Sequence, residues 1–321
     1  MLAAANIPPI SAIIITFGLV FVITAALANG LSVTFESVTK PLKERASLTS
    51  MVVIGNFVIV PAIVIGFLLV VDLGQQFTIA FALLAFACGA PFVAWITSLG
   101  KGNIPVGASL ALMLTVLTWL VLPLALPGTL RLLDTGVSVS VWKLAWPLLA
   151  FITLPLVLGM AYRARHPQHA LHAAAWLGPV SFSALLVHVT LMFVTYWHDF
   201  TDEFGTGQIA VSIAFPLVLL AVGFLLSPPY VLSPVKPANQ HRGSKLAASI
   251  ATAQRGTQAV ICSLIFAFAA YPVAGVVALA SSVITLVILV WLASELGRHY
   301  EQKTAPVAEV RKAASRPKVT A

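Results

Sequence analysis

Charge is what this chain has least of. Only 9% of its 321 residues are Asp, Glu, Lys or Arg, against about a quarter in a typical soluble domain. Acidic residues are scarcer than basic ones, 10 against 18, and none falls at the middle of an apolar stretch; Glu295 stands at the very end of one. The 2 cysteines, Cys88 and Cys262, supply neither a disulfide framework nor paired metal-ligand spacing, and read as buried small residues. With no carboxylate pair, nucleophile–base pair or metal cluster in the apolar runs, enzymatic chemistry has no residues to work with, and the expectation is no enzyme, no metal and no cofactor. Nor is there a folded polar domain to carry a basic surface, which sets nucleic-acid binding aside.

What is abundant is apolar sequence: 60% of the chain is hydrophobic. Crossing a hydrocarbon core takes about 20 apolar residues, and stretches of that kind run over 9–31, 48–71, 76–99, 104–126, 141–162, 173–197, 207–229, 246–268 and 272–296. The chain is therefore expected to be an all-α polytopic membrane protein. Its transporter-like domain of nine transmembrane helices occupies 1–299, and a basic tail, read as solvated and unstructured, occupies 300–321. The first stretch, opening on Pro8-Pro9 without a basic segment before it, is not read as a signal peptide. Basic residues sort by loop: all but Arg131, Lys143 and Arg255 fall on the face that carries Lys40, Lys101, Arg163, Arg242 and the tail. By the positive-inside rule the N-terminus is outside and the C-terminus cytoplasmic, so the net charge of +8 is chiefly a topology signal.

The polar exceptions carry the information. Gln254-Arg255-Gly256-Thr257-Gln258 sits inside the eighth span. A charge at the bilayer centre costs at least about 2.5–3.5 kcal/mol and persists only in a bundle interior or wet cavity. Cys88-Gly89-Ala90-Pro91 interrupts the third span, and a broken helix is tolerated at that depth only where protein or water satisfies the freed backbone. Gly100-Lys101-Gly102-Asn103 then makes a tight turn. Asn56 and Pro61 mark the second span, where an amide either bonds to another helix or merely packs. Lys40-Pro41 is expected to stop a helix between the first two spans. His188 lies near the middle of the sixth span; either it relays protons or it is a hydrogen-bonded packing residue, the commoner role. Two interrupted segments, each followed by a turn and one more helix, point to the binding site of an inverted-repeat transporter.

Cys88-Gly89-Ala90-Pro91 through Thr97-Ser98-Leu99-Gly100-Lys101-Gly102-Asn103 resembles the crossover segment of the bile acid:sodium symporter family, which reads Pro-Gly-Gly-Thr-Ala-Ser-Asn, a short helix, then a basic residue before Gly-Asn. Val53 to Pro61, Leu154 to Gly159 and Gly256-Thr257-Gln258 fall in that family's order, and the resemblance spans roughly residues 9–296. It implies a core and a panel domain, two broken helices crossing in the core, substrate bound beside the crossing, transport by alternating access, and location in a bacterial inner membrane. Members have nine or ten helices, and this chain looks like the shorter form.

The departures from the family pattern are chemical. Where the resemblance implies a sodium-binding Ser-Asn pair, this chain has Val93 and Ala94; where it implies hydroxyls on the next helix, it has Gly107 and Ala111. Gln254 stands for a glutamate and Asn56 for a glutamine, while Gln258 is kept. Sodium wants hard oxygen ligands, which Val, Ala and Gly side chains lack. The reading is a secondary transporter of a small organic anion, such as a bile-acid-like or other organic acid, without the family's sodium sites. Its expected substrate-site residues are Arg255, Gln254, Gln258, Thr257, Asn56 and Pro91, with His188 as the candidate for proton coupling. Expected partners are the anion and membrane lipid. Two other readings stay open: a metalloid (arsenite-type) exporter using Cys88, and a non-transporting receptor or scaffold on the same fold.

Overall fold

A computed structural model describes residues 9–203, 206–226 and 238–314. The described residues contain helices and no strand. In chain order these are α1 (Pro9–Ser32), α2 (Phe35–Glu44), α3 (Ala46–Val70), α4 (Gln75–Phe86), α5 (Val93–Leu99), α6 (Ile104–Leu132), α7 (Val141–Arg165), α8 (Pro167–Thr195), α9 (Trp197–Glu203), α10 (Thr206–Leu226), α11 (Ala238–Ala253), α12 (Thr257–Phe266) and α13 (Pro272–Ala314). Seven helices are long and apolar enough to cross a membrane: α1, α3, α6, α7, α8, α10 and α13. The two remaining stretches marked by the sequence are the interrupted ones, split into α4 and α5 and into α11 and α12. The chain is an integral membrane protein.

Several boundaries differ from the sequence reading. α6 and α8 are longer than their apolar stretches, because helical hydrogen bonding continues past the point where hydrophobicity ends. Residues 227–229, the end of the seventh stretch, lie outside the described residues. The segment around Lys40-Pro41, expected to break, is the helix α2, which packs along α6. α13 does not end near residue 296 but runs as helix to Ala314, so the first part of the supposed unstructured tail is a continuation of the last span.

Proline shapes two of the long helices in the same way. Before Pro61 the backbone of α3 widens into a π-turn at Gly55–Ile59, and before Pro155 that of α7 widens at Leu149–Thr153. Proline offers no N–H to the ladder and its ring crowds the carbonyl of the preceding turn; one extra residue in the turn relieves the clash and redirects the carbonyls. The first of these turns carries Asn56.

The helices pack in two groups. α1 lies against α7 and α8, held close by small residues: a Cβ on Gly159 would stand 2.7 Å from the Leu27 carbonyl oxygen, and one on Gly18 would stand 2.9 Å from the His188 ring. Without lipid-excluding force between helices, such close backbone approach is how membrane helices gain packing energy. In the other group α4 packs on α6 and α13, α5 on α6, and α11 on α6 and α10. The Gly100–Asn103 turn clips this group together, since the Asn103 N–H donates to the Gly243 carbonyl at 2.9 Å and the Asn103 side chain caps α6 by accepting from the Val106 N–H at 3.2 Å.

Candidate functional site

The two interrupted segments meet. After Ala253 the chain leaves the helix, and Gly256 sits at φ −73, ψ 80 with the Thr257 N–H donating to the Arg255 carbonyl at 2.9 Å, an inverse γ-turn. Its own N–H donates across to the Ala87 carbonyl at 2.8 Å. Any side chain at 256 would have to share space with the Cys88 carbonyl oxygen, 2.6 Å from where a Cβ would sit, so the contact requires glycine. In the first interruption it is Gly89 that turns the chain, at φ +76, a conformation costly to residues bearing a Cβ.

The freed backbone of the first interruption is satisfied by hydroxyls from α6. Thr118 Oγ1 accepts from the Cys88 N–H and donates to the Cys88 carbonyl, both at 3.0 Å, and Thr115 Oγ1 donates to the Gly89 carbonyl at 3.0 Å. Thus side chains of α6 take up hydrogen bonds that the helix break has freed. The sequence reading had not singled out Thr115 or Thr118, because a threonine in a long apolar helix commonly bonds its own preceding turn.

Arg255 projects from the second interruption into a cluster of neutral polar groups. Its Nη1 donates to Asn56 Oδ1 at 3.3 Å and to Cys88 Sγ at 2.9 Å. Asn56 is held in turn by its Nδ2, which donates to Thr252 Oγ1 at 3.2 Å and to the Val52 carbonyl at 2.9 Å. The Cys88 thiol donates to the Asn56 carbonyl at 3.6 Å. Arg255 is only 2% exposed, and among the described residues no carboxylate pairs with its guanidinium. Its Nε and Nη2 have no hydrogen-bond partner, nor does Gln254 Oε1 beside it. Two features help hold a buried cation here: it lies just past the C-terminus of α11, and Cys88, which it touches, lies just past that of α4. Both helix ends carry negative partial charge.

Gln254, Arg255 and Thr257 form the polar end of a cavity of about 210 Å³. Apart from Ser282, the rest of its wall is apolar, with Phe92 from the first interruption, Phe182, Leu185 and Val189 from α8, and Leu279 and Leu286 from α13. The cavity therefore lies between the two helix groups. Phe92 and Phe182 meet edge to face with ring centres 6.3 Å apart. Phe182 and Leu186 are 51% and 59% exposed, which marks them as the rim.

The structure brings together Arg255, Gln254, Thr257 and Asn56 of the expected set. Gln258 instead faces α1, its Nε2 donating to the Val22 carbonyl at 3.2 Å. Pro91 is half-buried in the turn that leads into α5, next to the cavity-lining Phe92. His188 is buried on α8 with its Nδ1 2.8 Å from the Ile14 carbonyl of α1, apart from the Arg255 cluster. Val93 and Ala94 begin α5, and Gly107 leaves room that Thr97 fills, its hydroxyl 2.9 Å from where a Cβ would be. Ala111 is buried and offers no side-chain oxygen. The apolar wall was not legible beforehand, since a Leu or Phe facing a cavity looks in sequence like one facing lipid.

No curated protein matches the chain. The sequence pattern of the sodium bile acid symporter family does match it, over residues 16–201. That stretch runs from α1 through the first interruption to α9, more than half the chain, and stops before Arg255. The chain belongs to the sodium bile acid symporter family of membrane transporters.

Proposed function

We propose that this transporter moves small organic anions by alternating access without the family's usual sodium sites, and that Arg255 is the fixed cation that receives the anion. The observation that carries the reading is an arginine 2% exposed, with Nε and Nη2 unpartnered, at the polar end of a largely apolar cavity. A carboxylate or sulfonate there would complete charge-assisted hydrogen bonds, which are about twice as strong as neutral ones. Gln254 and Thr257 fix its orientation, and the apolar wall takes an organic body. In relatives a sodium ion supplies positive charge near the crossing; here Val93, Ala94, Gly107 and Ala111 offer no side-chain oxygen, and the guanidinium supplies the charge permanently.

In this reading α4–α5 and α11–α12 each count as one crossing. Added to the seven continuous helices they give nine, arranged as two inverted repeats with α1, α7 and α8 as the panel. The transporter domain covers 1–299 with a basic extension over 300–321, the N-terminus is outside, the C-terminus is cytoplasmic, and the protein sits in a bacterial inner membrane. With sodium set aside, a proton is the candidate coupling ion and His188 the one candidate carrier that the sequence offers; the bond from His188 to Ile14 at 2.8 Å favours a packing role.

The deciding experiment is uptake into proteoliposomes, with and without a sodium gradient, over monocarboxylates, dicarboxylates, sulfonates and bile-acid-like sterols. Saturable uptake of at least one anion at zero sodium, lost in Arg255→Gln, is expected; strict sodium dependence would overturn the reading. A metalloid-export reading rests on the Cys88 thiol at the same cluster, and it predicts instead arsenite resistance that disappears in Cys88→Ser.

A further inference from the structure

A second cavity, of about 380 Å³, lies between α10, α11 and α13. It is separate from the Arg255 cavity: α13 lines that one with Leu279 to Leu286, and this one with Leu289 to Leu296, nearer the basic end of the helix. Its wall is apolar, formed by Leu217, Leu220 and Phe224 of α10, Leu246 and Ile250 of α11, and Leu292 of α13. At one end stand two cations. Arg242 Nη2 donates to the Leu296 carbonyl at 3.3 Å, and its guanidinium lies 4.4 Å from the centre of the Tyr300 ring. The Lys245 ammonium lies 3.8 Å from the centre of the Phe224 ring.

Neither cation meets a carboxylate among the described residues. On α13, Glu295 pairs with Arg298 at 3.1 Å and with His299 at 3.3 Å. The cations also stand at the ends of apolar helices. Phe224 is in the last turn of α10, Arg242 and Lys245 are in the first two turns of α11, and Tyr300 ends the apolar part of α13. The Lys101 turn abuts the same end through the bond from Asn103 to Gly243.

An apolar cleft among helices of membrane-spanning length, with two cations at the helix ends, matches one ligand chemistry in both halves. We infer that the α10–α11–α13 cleft binds an anionic phospholipid, with its phosphate at Arg242 and Lys245 and an acyl chain along Leu217, Leu220 and Leu292. Aromatic faces hold the two cations in place without neutralising them, so their charge stays available to the phosphate. A zwitterionic lipid would fill the apolar part equally well but would bring its own positive charge to the cations.

The test is native mass spectrometry of the full-length protein in neutral detergent, offered equal amounts of phosphatidylglycerol and phosphatidylcholine. Retention of phosphatidylglycerol over phosphatidylcholine by roughly tenfold or more is expected from two interfacial cations. The double variant Arg242→Gln, Lys245→Gln is expected to lose that preference while keeping its melting temperature in lipid-free detergent. Ala221→Phe, which fills the cleft and leaves the cations in place, is expected to reduce retention of both lipids. Equal retention by the unmodified protein, a preference that survives the double variant, or displacement of the lipid by inorganic phosphate would each overturn the assignment. So would a dimer that Ala221→Phe disperses, since the cleft would then be covered by a second copy of the chain.

Discussion

The two helix interruptions solve the same problem in opposite ways. At Ala87 to Phe92 the freed backbone is closed off by neutral hydroxyls, with Thr118 bonded to both the N–H and the carbonyl of Cys88 and Thr115 to the carbonyl of Gly89. At Gln254 to Gly256 the backbone is closed by the partner segment, through the bond from Gly256 to Ala87, and the side chains are left with unmet hydrogen-bonding capacity: Arg255 Nε, Arg255 Nη2 and Gln254 Oε1. A buried polar group without a partner costs about 1–3 kcal/mol, more when it is charged. On the proposed function the first interruption is a scaffold, and the second holds its polar groups in reserve for the anion.

The sharpest way to break that contrast is to remove the reserve. Arg255→Gln is expected to reduce organic-anion uptake roughly a hundredfold, the equivalent of losing about 3 kcal/mol of hydrogen bonding to a charged group. Its melting temperature in detergent should hold or rise, because an unpaired buried charge has been taken out. Arg255→Lys keeps the charge but loses the fork, and should recover part of the uptake. A large fall in melting temperature without a change in uptake per folded molecule would make Arg255 a brace of the crossing and erase the distinction between the two interruptions.

The scaffold side should respond in stability instead. A Cβ at Gly89 would collide with the Thr115 backbone and hold a left-handed conformation at φ +76, the latter alone costing roughly 1–2 kcal/mol. Gly89→Ala is thus expected to lower the melting temperature strongly. Thr118→Val is the milder probe: it preserves shape and takes the hydroxyl donor from the Cys88 carbonyl, while the Cys88 N–H keeps its bond to the Phe86 carbonyl at 3.0 Å, for a loss of about 1–3 kcal/mol. Both variants should retain anion uptake when corrected for the folded fraction. If Thr118→Val instead abolished uptake at unchanged stability, the hydroxyl would belong to the binding site.

How much of this was readable in the sequence follows from how local each signal is. The apolar stretches, both interruptions and Arg255 announce themselves within a few residues, because lipid tolerates neither a charge nor an unpaired backbone without cause. The partners of Arg255 are another matter. Asn56 and Cys88 lie 199 and 167 positions away, and no spacing rule connects them. The family's order pointed to Asn56, but Cys88 read as a small buried residue until the fold placed its sulfur against the guanidinium. Gln258 went the other way: it carries the family's signature, and it spends its amide on α1. Nor could the sequence foretell α2, where packing on α6 overrides the expected break at Pro41.

His188 gives the smallest expected effect and sharpens the contrast from outside the crossing. It is the histidine at membrane depth, and titration there would suit a proton carrier. Yet its Nδ1 is engaged by the Ile14 carbonyl at 2.8 Å, its ring packs where Gly18 makes room on α1, and it does not line the Arg255 cavity. A group whose hydrogen bond joins two helices of the same packed group holds them together. His188→Gln, which can still donate to Ile14, should therefore shift stability by no more than about 1 kcal/mol and leave the pH profile of uptake unchanged. His188→Leu should cost more stability with the same profile. A profile flattened in both variants would move His188 from the packing of α1 against α8 into the transport cycle, and would give the carrier a second ionisable group beside the arginine at its crossing.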